Sequence, residues 1–265
     1  MVMHTRRFID PDPGTLKDPV AVVGLPGIAN VGRIAVETLV HELNAELVLQ
    51  FFSDEFPPRV LVRDGISEIP KSSLYLYRAA PDEPHDLVIL TGDYQPSSSK
   101  GVFEYADFVV QNFVTLGVRT VLALAAYEQD YQAFFESFPA APRVYVSASS
   151  DGLLERMSGE SGVIRMSQGA INGANGFIPG WAATMYDMDG GCFLGETMGM
   201  IKMDYRSAQR VLEVFSSVVG LKASFDSIAR EAERVEDFIE WAKKELERRF
   251  EEGDESESPS DRYIG

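Results

Sequence analysis
Two glycine-rich turns and two carboxylates hold most of the chemistry this chain offers. The first turn, Gly24-Leu25-Pro26-Gly27-Ile28-Ala29-Asn30-Val31-Gly32, joins an apolar run to a helical pattern. A turn at that place presents backbone amides beside a helix N-terminus, where anions are held. Its spacing fits neither the dinucleotide fingerprint nor the P-loop, no Lys-Ser or Lys-Thr follows, and Pro26 removes one amide donor. Two readings therefore stay open: glycines that permit a tight turn and close helix packing, or a site for an anion or small ligand. The second turn, Gly169 to Gly176, interleaves Asn172 and Asn175 with glycine, a composition that favours left-handed backbone and exposed amides. Thr91-Gly92-Asp93 and Leu194-Gly195-Glu196-Thr197 add a carboxylate each, and the second a hydroxyl, at two further strand ends. The candidate pocket is thus Gly24, Gly27, Asn30, Asp93, Asn172, Asn175, Glu196 and Thr197, with Asp93 and Glu196 as an acid–base pair if the fold brings them together.

A catalytic role is not expected. Nucleophilic catalysis needs a base aimed at Ser, Cys or Thr, and His4, His41 and His85 all fall away from the predicted strand ends. Cys192 lies inside an apolar run and reads as a packing residue. Nothing shows the ligand spacing of a metal site, so neither metal nor cofactor is expected.

Those turns must be positioned by alternating strands and helices. Val20–Gly24 and Leu87–Thr91 are short apolar runs, read as buried strands, as are Val118–Ala125 and Cys192–Gly195. Arg59–Arg63 and Ser73–Tyr77 are read as strands joined through the turn signal Asp64-Gly65. Helices are expected over Asn30–Leu43, capped by Asn30, and over Phe103–Leu116, Asp151–Met157, Phe177–Tyr186 and Tyr205–Val219. This alternation predicts an α/β fold, a mostly parallel sheet with helices on both faces and crevices at the strand C-termini. Residues 1–18, rich in Pro and Asp, read as a flexible arm before an α/β domain over 19–222.

A long helix is expected over 223–250. Phe225, Ile228, Ala232, Val235, Ile239, Ala242 and Leu246 follow alternating steps of three and four, a narrow seam for another helix within the subunit or across a subunit interface. Residues 251–265, with six carboxylates and one arginine, read as a disordered acidic tail with Tyr263 and Ile264 near its tip.

The net charge of −17 excludes nucleic acid or anionic lipid as the main partner, since phosphate binding needs clustered Lys and Arg. No apolar run approaches the roughly 20 residues of a membrane span. No apolar stretch follows Arg6-Arg7, so no signal peptide is expected, and with the lone Cys192 this predicts a cytoplasmic protein.

Taken in order, these turns resemble the archaeal members of the proteasome assembly chaperone family, the type-two chaperones. The resemblance rests on Gly24–Gly32, Phe56-Pro57-Pro58, Gly92-Asp93 with Gln95-Pro96, Leu116-Gly117-Val118, Gly169–Gly176 and Leu194-Gly195-Glu196-Thr197, collinear from about Val20 to about Leu221. It implies a nucleoside-phosphorylase-like α/β fold, no established catalytic activity, homo-oligomers from trimer to pentamer, and proteasome α-subunits as partners. Family members that act on the proteasome often end in a hydrophobic–Tyr–any tripeptide; here Tyr263 stands third from the end, with Arg262 in the hydrophobic place. The alternative on the same fold is a small-molecule-binding, hydrolytic or phosphorolytic enzyme using the glycine-rich pocket.

Overall fold
A computed structural model of the chain describes residues 2–255. Its N-terminal stretch is β1 (Met3–Arg7), which pairs antiparallel with β3 (Glu46–Ser53) so that Thr5 faces Phe51. The loose arm expected over residues 1–18 is thus replaced at its start by a sheet edge. Its high proline and aspartate content lies after the strand, around a single 3-10 turn at Pro13–Thr15.

Between these two strands come β2 (Val20–Gly24) and α1 (Val31–Glu42). A hairpin of β4 (Leu61–Arg63) and β5 (Ile66–Glu68) turns at Asp64-Gly65 and forms its own two-stranded sheet. The turn signal therefore closes this hairpin and does not lead into β6 (Ser72–Tyr77), which lies between β3 and β7 (Leu87–Gly92). After α2 (Ser99–Thr115) and β8 (Thr120–Glu128) comes α3 (Tyr131–Ser137), a short helix the apolar pattern did not announce. The chain continues through β9 (Val144–Ala148), α4 (Asp151–Met157), β10 (Val163–Arg165), α5 (Ala174–Tyr186) and β11 (Asp189–Thr197). It ends in α6 (Tyr205–Val219) and α7 (Asp226–Glu255).

The main sheet has nine strands in the order β1-β3-β6-β7-β2-β8-β11-β9-β10. Its central block, β7-β2-β8-β11, is parallel, as the buried apolar runs predict. β1, β3 and β6 extend it antiparallel on one side, and β9 is antiparallel to β11 on the other, so the sheet is mixed. Both faces are covered. Val20 and Val22 of β2 point into one core layer with α1, α6 and α7, while Ala21 and Val23 point into the other with α2 and α5. That is why the strand reads as a continuous apolar run instead of an alternating one.

α1 buries Val31, Ile34, Ala35, Thr38 and Leu39, the i, i+3, i+4 stripe of a helix laid on a sheet. α2 begins four residues earlier than its apolar pattern suggests, because Ser98 caps it by accepting from the Gly101 amide at 2.9 Å. β11 runs through Gly190 and Gly191, residues that argue against a strand when read alone. A Cβ at Gly190 would stand 2.1 Å from the Pro179 carbonyl oxygen, so glycine is what lets α5 lie against the strand.

α7 lays its seam on the molecule's own core: Phe225, Ile228, Ala232, Ile239 and Ala242 are buried, and Val235 packs beside them. Of the two readings of the seam, burial within the subunit is the one observed over this stretch; the side chain of Leu246 lies outside the described residues. The outer face of α7 keeps Phe238 and Trp241 exposed. Among the described residues, no helix is long and apolar enough to cross a membrane.

Candidate functional site
A crevice of about 540 Å³ opens where β2, β8 and β11 end and the 166–173 loop enters α5. Crevices of open α/β sheets form at this edge, outside the carboxyl ends of parallel strands. The two glycine-rich turns meet across it and are stapled together. Asn175 accepts from the Leu25 amide and donates to the Leu25 carbonyl, both at 2.9 Å. Gln95 donates to the Pro26 carbonyl at 2.5 Å and accepts from the Ala174 amide at 2.6 Å. Asn175 belongs to the first turn of α5, which starts three residues before the expected Phe177. Gly173, at φ +80°, supplies the left-handed residue before that helix.

Only part of the candidate set lies on the crevice. Gly27, Asn172 and Asn175 line it; Gly24, Asn30, Asp93, Glu196 and Thr197 do not. Gly24 is a packing residue, since a Cβ there would stand 2.2 Å from the Gly32 carbonyl oxygen. One at Gly32 would in turn stand 2.0 Å from the Leu124 carbonyl oxygen. The outer glycines of the first turn therefore seat α1 on the sheet, in line with the packing reading, and Gly27 lines the crevice. Asn30 does not cap α1 with its side chain. Ala29 and Asn30 are both left-handed, at φ 49° and 52°, and the Asn30 side-chain Nδ2 donates instead to the Lys202 carbonyl at 3.1 Å.

Asp93 and Glu196 sit in separate ion-pair networks and do not form an acid–base pair. Asp93 accepts from the Lys71 amide at 3.1 Å and pairs with Arg63, with Arg33 at 3.8 Å. Glu196, 3% exposed, accepts from the Arg143 amide at 3.1 Å and its Nε at 3.0 Å, with a second guanidinium contact and Gln129 completing the set. Burial pushes the Glu196 carboxyl up, but the bonds and charge of Arg143 outweigh it, so the group titrates below the ordinary glutamate range. Thr197 donates to the buried Asp204 at 2.7 Å, and Asp204 caps α6 through the Ser207 amide at 2.9 Å. Burial is the larger influence on Asp204 and holds its carboxyl above the ordinary aspartate value. These polar strand-end residues are architectural ties.

The crevice wall also contains residues the motifs did not single out as site residues, Gln95, Tyr127 and Glu128 among them. The signal was present, since the apolar run of β8 breaks into Tyr127-Glu128-Gln129-Asp130 where the strand meets the crevice. No histidine lines the crevice. Cys192 is 4% exposed, and burial pushes its thiol up to about 12, far from a nucleophilic thiolate at neutral pH. Among the described residues, no three of His, Cys, Asp and Glu are grouped to hold a metal ion.

Comparison with known proteins agrees with this architecture. A model of the PAC2 family matches residues 21–242. An uncharacterised protein of Methanocaldococcus jannaschii is 31% identical over 265 residues, covering 98% of this chain and 97% of its own length. Among solved structures, Pyrococcus furiosus PbaB, described as an archaeal proteasome activator, is similar with a TM-score of 0.79 and 29% identity. It covers 91% of this chain and 98% of its own. Pyrococcus furiosus PbaA, described as an archaeal homolog of proteasome-assembly chaperone, matches with a TM-score of 0.69 at 23% identity, over 95% of this chain and 97% of its own. At that identity PbaA speaks for the fold alone.

Proposed function
The chain belongs to the PAC2 family, and from that premise we propose that it is a non-enzymatic, proteasome-assembly-chaperone-like protein that binds proteasome α-subunits as a homo-oligomer of three to five copies in the cytoplasm. The observation that carries this reading is the likeness to PbaB, which covers 91% of this chain and 98% of its own. Binding through a surface and not through chemistry also accounts for strand-end carboxylates tied up in structural ion pairs. The outer face of α7, with Phe238 41% and Trp241 61% exposed, is the apolar surface offered for subunit contact. α7 runs on to Glu255, so the first five residues of the expected tail are the end of the helix; residues 256–265, outside the described residues, act as a tether that raises the effective concentration of Tyr263 and Ile264 at the partner.

The test is co-precipitation of α-subunits from the same organism with the intact chain and with a chain ending at Phe250. The intact chain captures α-subunits and the shortened one captures fewer. Capture by neither overturns the proposal. PbaB's description as an activator favours a second reading, in which the same contact opens an assembled particle. Faster peptide hydrolysis by the complete proteasome on adding the chain supports that reading; unchanged hydrolysis with retained α-subunit binding supports the assembly role. A phosphorolytic enzyme on this fold is disfavoured, because no Lys, Arg or His lines the crevice to hold phosphate.

A further inference from the structure
The strand-end crevice carries an inference of its own, independent of whether α-subunits bind. Its floor is apolar, with Leu25 and Leu194 buried and Ile171 at its side. Tyr127 and Asn172 add neutral polar groups to its wall, and Glu128 stands at its end. Glu128 also lines the shallower depression next to it, which is formed by residues 128–131 with Gly199 and Met200. Neither depression contains a lysine, arginine or histidine. The carboxylate of Glu128 has no hydrogen bond or ion pair among the described residues, whereas the other strand-end carboxylates, Asp93 and Glu196, are fully engaged. Its Oε1 lies beside Gly199, where an added Cβ would stand 2.3 Å away.

An uncompensated carboxylate at the mouth of a largely neutral crevice, in a chain of net charge −17, repels anions and attracts cations. The apolar lining behind it asks for a hydrocarbon stem. We propose that this crevice binds a primary ammonium carried on an aliphatic chain, the stem lying against Ile28 and Ile171, lining aliphatic side chains that keep accessible surface, and the ammonium pairing with Glu128. The same chemistry is offered by a free alkyl diamine and by a lysine side chain of a protein segment.

Ligand-observed NMR on the full chain tests this with cadaverine, with N-acetyl-lysine methylamide, and with N-acetyl-norleucine methylamide, which lacks the amine. Phosphate and adenosine are run alongside. At least one amine binds, binding weakens with added salt, and Glu128→Gln weakens it about tenfold or more without lowering the melting temperature. Gly199→Ala, whose methyl displaces the Glu128 carboxylate, weakens it in the same direction. Tighter binding of the capped lysine assigns a protein segment as the source, and tighter binding of cadaverine assigns a free amine. The proposal is overturned if no amine binds, if norleucine binds as well as lysine, if phosphate or adenosine binds in their place, or if both variants bind like the wild type.

Discussion
Glu196 shows how a residue that reads as a catalytic candidate can serve the fold. Its carboxylate is almost fully enclosed and satisfied by Arg143 and Gln129. Removing the charge leaves a guanidinium without its partner, so Glu196→Gln lowers stability at pH 7 by about 2 kcal/mol, less than a fully buried pair because Arg143 is partly exposed. The folded carboxyl titrates below the unfolded one, so this contribution is present above the ordinary glutamate pKa and is lost as pH falls through the lowered folded value. Denaturant unfolding of both proteins from pH 7 to pH 3 should show the difference shrink at the acid end. Cys192 makes the opposite point, since its packing role was legible from the apolar run around it. It should resist thiol reagents in the native state and react only on unfolding, as followed by absorbance with an aromatic disulfide. Sequence spacing locates the Glu196 charge at a strand end but not the arginine, 53 residues away, that neutralises it.

At the scale of elements, two close approaches decide how the strand-end edge is built. Gly32→Ala would drive a methyl into the Leu124 carbonyl, a backbone atom that cannot swing aside, and should cost about 3 kcal/mol or more in thermal or denaturant unfolding. The seven-residue seam of α7 was visible in sequence, but its partner was not, because a three–four repeat specifies a facing helix without saying whose. Burial of Ile239 against the subunit's own core answers that for the described part. Ile239→Ala should cost about 3 kcal/mol, while Trp241→Ala on the opposite face should change the subunit's stability by less than about 0.5 kcal/mol. A scan of melting temperatures separates the two, and a large loss from the tryptophan change would show that the outer face is also structural. Elements hidden in sequence were those whose rules were broken for a neighbour's sake. β11 keeps glycines so that α5 can approach, and α3 is too short to show a period.

For the whole molecule, the parallel centre of the sheet was legible because strands buried on both faces read as unbroken apolar runs, as in Val20–Gly24. The antiparallel flanks were not, since β1 and β6 owe their direction to neighbours distant in sequence. What remains is a body whose Asp93 and Glu196 are spent on structural ion pairs, an α7 that shows two large aromatic side chains to solvent, and a likeness to a protein described as an archaeal proteasome activator. The proposed role requires that this surface bind proteasome α-subunits. Sedimentation velocity of the purified intact chain mixed with purified α-subunits tests it most directly. A new boundary, faster than either component alone and growing with added α-subunit, is the result predicted here. Two independent boundaries unchanged at every ratio would contradict it.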